Sequence, residues 1–341
     1  MQEKGLSKSQ IIIMAITAGV CAANIYYNQP VLKEIARSCS VSESQAGIVS
    51  VLSQAGYGLG LFFITPLGDK MNRKKLILLL MALQVVALLT MTFAGSLFLV
   101  CLMNLLIGVF ACAAQVVLPM AASLDAKNRG KTVGIIFTGI LVGILAARVF
   151  SGYIGATLGW HYVYGFSAVL VLVAALLVRY SLPDVQPGYG GHYGQLLGSI
   201  FLQAKRFALL RRTALLGALI FGIFCSFWTT LTFHFSGAPF HYHADTIGLF
   251  GILAIGGALL APAVGKLSDK GNTARTQVFS VGLIMAGVLM IKLFPWSIAS
   301  FVVAVLLLDI GVQATQVTNV ATIYTLDATA HSRINTVYMT T

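Results

Sequence analysis

At positions 66–75 the chain reads Pro66-Leu67-Gly68-Asp69-Lys70-Met71-Asn72-Arg73-Lys74-Lys75, a short segment with four basic residues. The segments on either side of it, 45–67 and 76–104, contain no charged residue. About 20 apolar residues are enough for a helix to cross the hydrocarbon core of a bilayer. We therefore predict that the quoted segment is a hairpin between two membrane-spanning helices.

The composition indicates a polytopic membrane protein. Of the 341 residues, 58% are hydrophobic and 9% are charged, and the mean hydropathy is +0.88. A chain with so few polar residues cannot cover a soluble globule with polar surface. The net charge of +12 would suggest nucleic acid as a partner of a soluble protein, but here the basic residues lie between apolar segments, where they set orientation. We expect a lipid bilayer as the surrounding medium and no nucleic-acid partner.

Ten segments are long and apolar enough to be predicted as spans. They are 11–35, 45–67, 76–94, 97–122, 132–157, 162–182, 213–236, 246–267, 276–294 and 297–326. If the N-terminus is cytoplasmic, the inner side carries 18 Lys and Arg residues and the outer side carries 3. The positive-inside rule therefore predicts a cytoplasmic N-terminus in a bacterial inner membrane.

A second charged segment repeats the pattern of the first. It reads Gly265-Lys266-Leu267-Ser268-Asp269-Lys270-Gly271-Asn272, so that both copies contain Asp-Lys-x-Asn, 200 positions apart. These segments resemble the loop motif of the major facilitator superfamily, G-x-x-x-D-[RK]-x-G-x-[RK]-[RK], which lies between helices 2 and 3 and, more weakly, between helices 8 and 9. Asparagine replaces the second glycine in both copies, and we expect Asn72 to keep the turn by adopting a left-handed backbone.

The resemblance implies that this loop motif controls conformational change. The residues assigned to this loop are Asp69, Lys70, Arg73, Gly265, Asp269 and Lys270. In the family, the aspartate faces the cytoplasmic N-terminus of helix 11, where the helix dipole favours an anion. The alternative for the basic residues is that they only hold this loop on the cytoplasmic side of the membrane.

The spacing of the two copies distinguishes two architectures. Ten spans are compatible with a five-plus-five exporter, but the matching loops follow spans 2 and 8, which favours a duplicated six-helix half. We therefore predict an all-α integral membrane protein with the major facilitator fold. Its predicted parts are a six-helix half at 1–182, a linker with a basic amphipathic helix on the inner leaflet at 183–212, and a half at 213–341 that holds four spans and the start of a fifth.

The resembled family has twelve spans, whereas ten are found here. We therefore expect a chain that is truncated before helices 11 and 12. An alternative to a working transporter is then a non-functional remnant of one, because the loss of two helices leaves partners unsatisfied within the bilayer.

Two charged residues lie deep inside predicted spans, far from the span ends: Arg148 in the fifth and Asp309 in the tenth. Charge at membrane depth is costly and usually functional. In the resembled fold helices 5 and 10 approach each other, which implies an Arg148–Asp309 pair that couples protonation to conformational change. The alternatives are a structural arginine that bonds carbonyl groups and a structural, hydrogen-bonded carboxyl group.

Polar residues recur on one face of spans 1, 4, 7 and 10, the helices that line the central cavity in the resembled fold. They are Asn24, Asn28, Tyr27, Asn104, Gln115, Thr230, His234, Gln313 and Gln316. The resemblance implies that these residues contact the substrate. Each amide could instead bind a neighbouring helix.

Small residues recur every four positions in span 5. They are Gly139, Gly143, Ala147, Ser151 and Gly155. This spacing allows another helix backbone to approach closely, and we predict tight packing between the two halves. The pattern resembles the glycine-rich helix-5 motif of the superfamily's antiporters, although the proline usual in that motif is absent.

The sequence lacks the signatures of an enzyme. It has no nucleotide-binding P-loop, HExxH, GxSxG or Cys/His cluster, and its five cysteines show no CxxC spacing. We expect no catalytic residue, no cofactor and no metal. The predicted function is proton-coupled efflux of small sugar-like or drug-like solutes by alternating access, driven by an ion gradient.

Overall fold

The computed structural model describes residues 6–125, 129–185, 191–253, 273–326 and 331–340. All regular structure within these ranges is helical. In chain order the helices are α1 (Lys8–Ala23), α2 (Leu32–Ser38), α3 (Glu43–Leu59), α4 (Leu67–Lys70), α5 (Arg73–Thr92), α6 (Leu97–Ala111), α7 (Ala113–Leu124), α8 (Arg129–Leu158), α9 (Trp160–Ser181), α10 (Tyr193–Arg206), α11 (Ala208–Ser236), α12 (Ala244–Leu253), α13 (Thr273–Leu293), α14 (Ile298–Tyr324) and α15 (His331–Thr340).

Eight helical segments of the described chain are long and apolar enough to cross a membrane. One of them joins α3 to α4 as Glu43–Lys70, and another joins α6 to α7 as Leu97–Leu124. Two shorter apolar helices, α1 and α12, lie in the first and eighth predicted spans. The prediction of an all-α membrane protein is confirmed.

The first predicted span is not one continuous helix. Helix α1 ends at Ala23, and α2 begins only at Leu32. Between them the backbone bonds are of the tighter type between residues three apart, such as Gln29 N to Tyr26 O at 3.2 Å. Pro30 has no backbone N–H and disfavours a helical conformation in the residue before it, which explains why a single helix over 11–35 was the wrong expectation.

The charged segment at 66–75 contains more helix than the predicted hairpin. The helix continues through a π-helical turn at Gly60–Ile64 and through α4, so that only Met71 and Asn72 connect it to α5. Asn72 has φ −58°, and the left-handed conformation expected for it is wrong. Its side-chain oxygen instead accepts a hydrogen bond from Lys75 N at 3.1 Å, which makes it the N-cap of α5.

The described chain forms two compact units. The first comprises Met1–Leu196 with Thr232–Gly248, and within it α1 packs along α8, α3 along α6, and α5 along α9. The second comprises Leu197–Leu231 with Leu249–Thr341, and within it α13 packs along α14. Helix α15 contributes Ile334 and Tyr338 to a buried cluster in the second unit. The other buried members of that cluster are Leu210, Ala214 and Ile323.

Candidate functional site

Arg148 lies inside the first unit, where only 1% of its surface is exposed. Its Nε donates a hydrogen bond to the side-chain oxygen of Gln29 at 3.1 Å, and its Nη1 donates to Ile144 O at 3.4 Å. The guanidinium carbon lies 5.1 Å from the centre of the Tyr26 ring, within the range of a cation–π contact. Two residues of the break after α1 therefore hold this buried cation.

Gln29 was not identified from the sequence, although it directly precedes the helix-breaking Pro30. Besides binding Arg148, it accepts a hydrogen bond at its backbone oxygen from Thr232 Oγ1 at 2.9 Å. The nearby Lys33 Nζ donates to Ser236 O at the end of α11. The segment between α1 and α2 thus connects the centre of α8 to the last turns of α11.

Asp309 lies in the second unit and is 3% exposed. It follows the first residue of α14 by eleven positions, about 17 Å along the helix, while Arg148 precedes the last residue of α8 by ten positions, about 15 Å. Both distances reach roughly the middle of a hydrocarbon core of about 30 Å. Gln313 and Gln316 share the side of α14 that carries Asp309 and are half-buried. The Arg148–Asp309 pair stays a prediction, because the two residues belong to different units.

The asparagines predicted to contact the substrate form a buried network in the first unit. Asn28 Nδ2 donates to Asn104 Oδ1 at 3.3 Å, and Asn28 Oδ1 accepts from Ser50 Oγ at 2.6 Å. Asn24 Oδ1 accepts from Ser167 Oγ at 2.6 Å. All three asparagines are completely buried. In this conformation Asn28 and Asn104 bond to each other and Asn24 bonds to α9, and the contact of all three with a substrate stays a prediction.

Other residues of the predicted cavity have different surroundings. Gln115 Nε2 donates to the hydroxyl of Tyr57 at 2.9 Å. The ring of Tyr27 is buried, and its centre lies 5.6 Å from that of Phe150 on α8. Tyr27, which lies within the break, is thus a packing neighbour of the helix that carries Arg148.

The two predicted cavity residues of α11 lie in separate units. Thr230 is exposed and belongs to the second unit. His234 is half-buried in the first unit, and its ring centre lies 5.5 Å from those of Phe235 and Phe240. An aromatic cluster therefore surrounds His234, and within the described ranges no group of His, Cys, Asp and Glu side chains could hold a metal ion.

The small residues of α8 lie against α1. A Cβ atom added at Gly143 would lie 2.3 Å from Gly19 O, and one added at Gly139 would lie 2.5 Å from Ala15 O. Gly155 faces the Val31 side chain. The remaining members of the pattern, Ala147 and Ser151, are buried. The first two glycines of the stripe thus allow close packing against α1, and packing of the stripe between the two predicted halves stays a prediction.

A second close approach on α8 uses a glycine outside the predicted pattern. A Cβ atom at Gly152 would lie 2.4 Å from Ala244 O, and one at Gly248 would lie 2.6 Å from Arg148 O. Residues 244–248 belong to the first unit. The backbone of α12 therefore contacts α8 directly beside Arg148.

The first copy of the loop motif is a local network. Asp69 Oδ1 and Arg73 Nη2 form a salt bridge of 2.9 Å. Arg73 also donates to Gly68 O at 3.0 Å and to Pro119 O at 3.1 Å, so that it connects the loop to the end of α7. Lys70 is exposed, whereas Lys74 is buried and its Nζ donates to Leu182 O at 2.6 Å. The second copy, with Gly265, Asp269 and Lys270, lies outside the described residues.

A buried polar group in the second unit was missed by the sequence analysis. Asn319 is completely buried, accepts a hydrogen bond from Gln277 Nε2 at 2.8 Å, and donates one to the Tyr338 hydroxyl at 3.2 Å. Its position three residues after Gln316, on the same side of α14, was the sequence feature that could have identified it. This group connects α13, α14 and α15 within the unit.

Comparisons with known proteins agree with these features. The family model of the Major Facilitator Superfamily matches residues 14–341. A putative uncharacterized transporter of Escherichia coli, YgaY, is 37% identical over 336 residues, which are 98% of this chain and 85% of that protein. A probable transporter of Streptomyces coelicolor, SCO4007, is 28% identical and covers 96% of this chain and 76% of its own length.

Solved structures show the same fold at low sequence identity. A bacterial homologue of the human lysosomal transporter Spinster, in an inward-facing and unoccupied conformation, matches with a TM-score of 0.70 at 16% identity. It covers 96% of this chain and 77% of the matched chain. The POT family transporter PepTSo matches with a TM-score of 0.68 at 14% identity over 98% of this chain and 87% of its own.

The family model and the relatives extend over nearly the whole chain and agree with its apolar helices and loop motif. The chain therefore belongs to the Major Facilitator Superfamily and is a multi-pass membrane transporter.

Proposed function

We propose that this chain is a secondary active transporter that exports small, mainly neutral solutes across a bacterial inner membrane in exchange for protons. The observation that carries the proposal is the buried carboxyl group of Asp309 near the middle of a membrane-spanning helix. A carboxyl group at this depth is costly when charged, and its protonation changes the cost. Asp309 is therefore the proposed proton carrier.

Arg148 is the proposed counter-charge. Its guanidinium is buried on α8, where the Gln29 amide and the Tyr26 ring contact it. Alternating access would bring a protonatable group to the cation in one state and away from it in another. Such a cycle would couple proton movement to the conformational change.

The substrate class is proposed from the polar but uncharged residues of the cavity helices and from one relative. Gln313 and Gln316 offer hydrogen bonds beside Asp309 without a fixed charge, which favours neutral solutes. A protein named purine ribonucleoside efflux pump NepI, from Salmonella paratyphi B, is 25% identical over 253 residues, 70% of this chain. Its name supports both export and a sugar-containing solute as first candidates.

The test is uptake by inside-out membrane vesicles that carry the chain, energised by respiration and offered a panel of labelled sugars, drug-like cations and purine ribonucleosides. Asp309→Asn is expected to abolish accumulation driven by the gradient, while exchange of labelled for unlabelled solute continues. Asp245→Asn is the matched control, because Asp245 is exposed and undergoes the same chemical change. Unchanged accumulation in Asp309→Asn would contradict the proposal.

The same assay tests the alternative taken from the sequence, that of a remnant without transport activity. If the unaltered chain reaches the membrane but neither accumulates nor exchanges any solute of the panel, the alternative is favoured. Accumulation that the unaltered chain supports and that a protonophore abolishes would exclude it.

A further inference from the structure

The junction of α10 and α11 presents an exposed surface that lies outside the proposed transport site. Only Phe207 separates the two helices. Leu196 and Ile200 of α10 are buried, whereas Phe201 and Leu202 on its other side are 58% and 61% exposed. One apolar side of this helix is thus buried, and a different apolar side is exposed.

Four basic residues occur within eight positions at this junction. They are Lys205, Arg206, Arg211 and Arg212. The first turn of α11 contains no acidic residue. Lys205 and Arg212 are exposed, and among the described residues their side chains form no hydrogen bond or ion pair. The surface therefore offers two cationic groups to an anion from outside the chain.

The start of α11 adds positive potential at this junction, whereas the end of α10 favours the cations in its last turn. Cations near a helix N-terminus are unfavourable, because the partial charge there is already positive. Arg211 is one of them, and it is held in place by hydrogen bonds from Nη1 to Ala204 O at 2.8 Å and to Lys205 O at 2.9 Å. A bound anion would relieve the repulsion between the fixed guanidinium, its neighbours and the start of α11.

The register of α11 places Arg212 at the edge of a lipid-facing stripe. Arg212, Leu215 and Leu219 are spaced at i, i+3 and i+7, on one side of the helix. Leu215 and Leu219 are 57% and 60% exposed on a helix long and apolar enough to span the membrane. Exposed apolar side chains of such a helix face acyl chains, and Arg212 lies one turn away, at the level of the headgroups.

We propose that this surface binds the phosphate group of an anionic phospholipid. Phe201, Leu202, Lys205 and Arg212 form the proposed site, which we call the junction patch. Lys205 and Arg212 bind the headgroup phosphate, and the two apolar side chains contact the adjoining acyl region. The combination of cations with exposed apolar side chains fits a lipid better than free phosphate, which has no apolar part. This inference is independent of the proposed transport mechanism.

The test uses the purified full chain in detergent and measures bound lipids by native mass spectrometry. Phosphatidylglycerol and phosphatidylethanolamine with identical acyl chains are compared at equal concentration. The unaltered chain is expected to bind phosphatidylglycerol more tightly. Lys205→Gln together with Arg212→Gln should lower that affinity about 25-fold, at about fivefold for each basic side chain near an anionic lipid surface, and leave phosphatidylethanolamine binding unchanged.

Two further double variants test whether binding depends on the position of the cations in the junction patch or only on the total charge of the chain. Lys75→Gln together with Arg179→Gln removes the same charge from two exposed positions elsewhere and should leave the affinity within about twofold. Lys205→Arg together with Arg212→Lys keeps the charge and should retain binding. The proposal is overturned if the control pair loses as much affinity, if the two lipids bind equally to the unaltered chain, or if inorganic phosphate alone binds the site and displaces phosphatidylglycerol.

Discussion

Arg148 shows how a single buried side chain depends on its neighbours. Desolvating a guanidinium is costly unless hydrogen bonds and nearby π systems replace water. Gln29 and Tyr26 supply these contacts from the break between α1 and α2. Because the break also brings the Gln29 backbone to Thr232, the contacts of the arginine depend on the local backbone as much as on its own helix.

We predict that Gln29→Leu lowers the free energy of unfolding by about 1–3 kcal/mol, because it leaves a buried charged donor without one of its acceptors. The measurement is unfolding of the purified protein by increasing SDS in mixed micelles. In an Arg148→Met background the same substitution should cost much less, since the donor is gone. Equal losses in both backgrounds would show that Gln29 acts independently of Arg148.

Helix α8 shows that close packing of an element depends on where its small residues lie. At Gly143 the backbone of α1 is so close that a methyl group would overlap Gly19 O. At Gly134, on the same helix, an added Cβ atom would meet nothing within 4 Å. Gly143 belongs to the small-residue pattern and Gly134 does not, and the structure shows the matching difference in their neighbours.

We predict that Gly143→Ala destabilises the protein by at least about 1–3 kcal/mol, since the overlap is with backbone that cannot rotate away. Gly134→Ala is the control, and it should be neutral or stabilising by up to about 1 kcal/mol, because alanine favours the helical state. SDS unfolding of both variants provides the comparison. Equal effects would mean that helix propensity, rather than the contact of α8 with α1, decides the outcome.

For the whole molecule, the distribution of basic residues predicts which loops face the cytoplasm. With the predicted cytoplasmic N-terminus, Cys39 between α2 and α3 faces outward and Asp184 in the linker faces inward. Cys39 is half-exposed in a connection between helices, Cys101 and Cys225 are half-exposed within membrane-length helices, and Cys21 and Cys112 are buried. The native cysteines therefore provide an accessible probe of orientation.

We predict that a membrane-impermeant maleimide labels Cys39 in spheroplasts and that Cys39→Ser removes this labelling. Asp184→Cys in the Cys39→Ser background should react only after permeabilisation. Burial raises the pKa of the Cys39 thiol above its ordinary value. Since the thiolate reacts, labelling should continue to accelerate at alkaline pH beyond the range in which an ordinary cysteine levels off. The reverse pattern of labelling would contradict the predicted orientation.

The sequence by itself was sufficient for the class of fold and the family. Apolar segments of about 20 residues leave a chain few alternatives to helices across a bilayer, because backbone groups must be paired within each segment. The repeated Asp-Lys-x-Asn motif led to the same superfamily that the family model matches. These features are local in the chain, so composition and spacing reveal them without knowledge of contacts.

The tertiary structure decided what the individual polar residues contact. Asn28 and Asn104 are 76 positions apart and bond to each other, and Gln29 reaches Arg148 across 119 positions. Asn72 is an N-cap where a left-handed turn was expected. An amide in an apolar helix has the same pattern in the sequence whether it faces a cavity or a neighbouring helix. Its hydrogen-bond partner is set by packing between distant segments, which periodicity along one helix does not record.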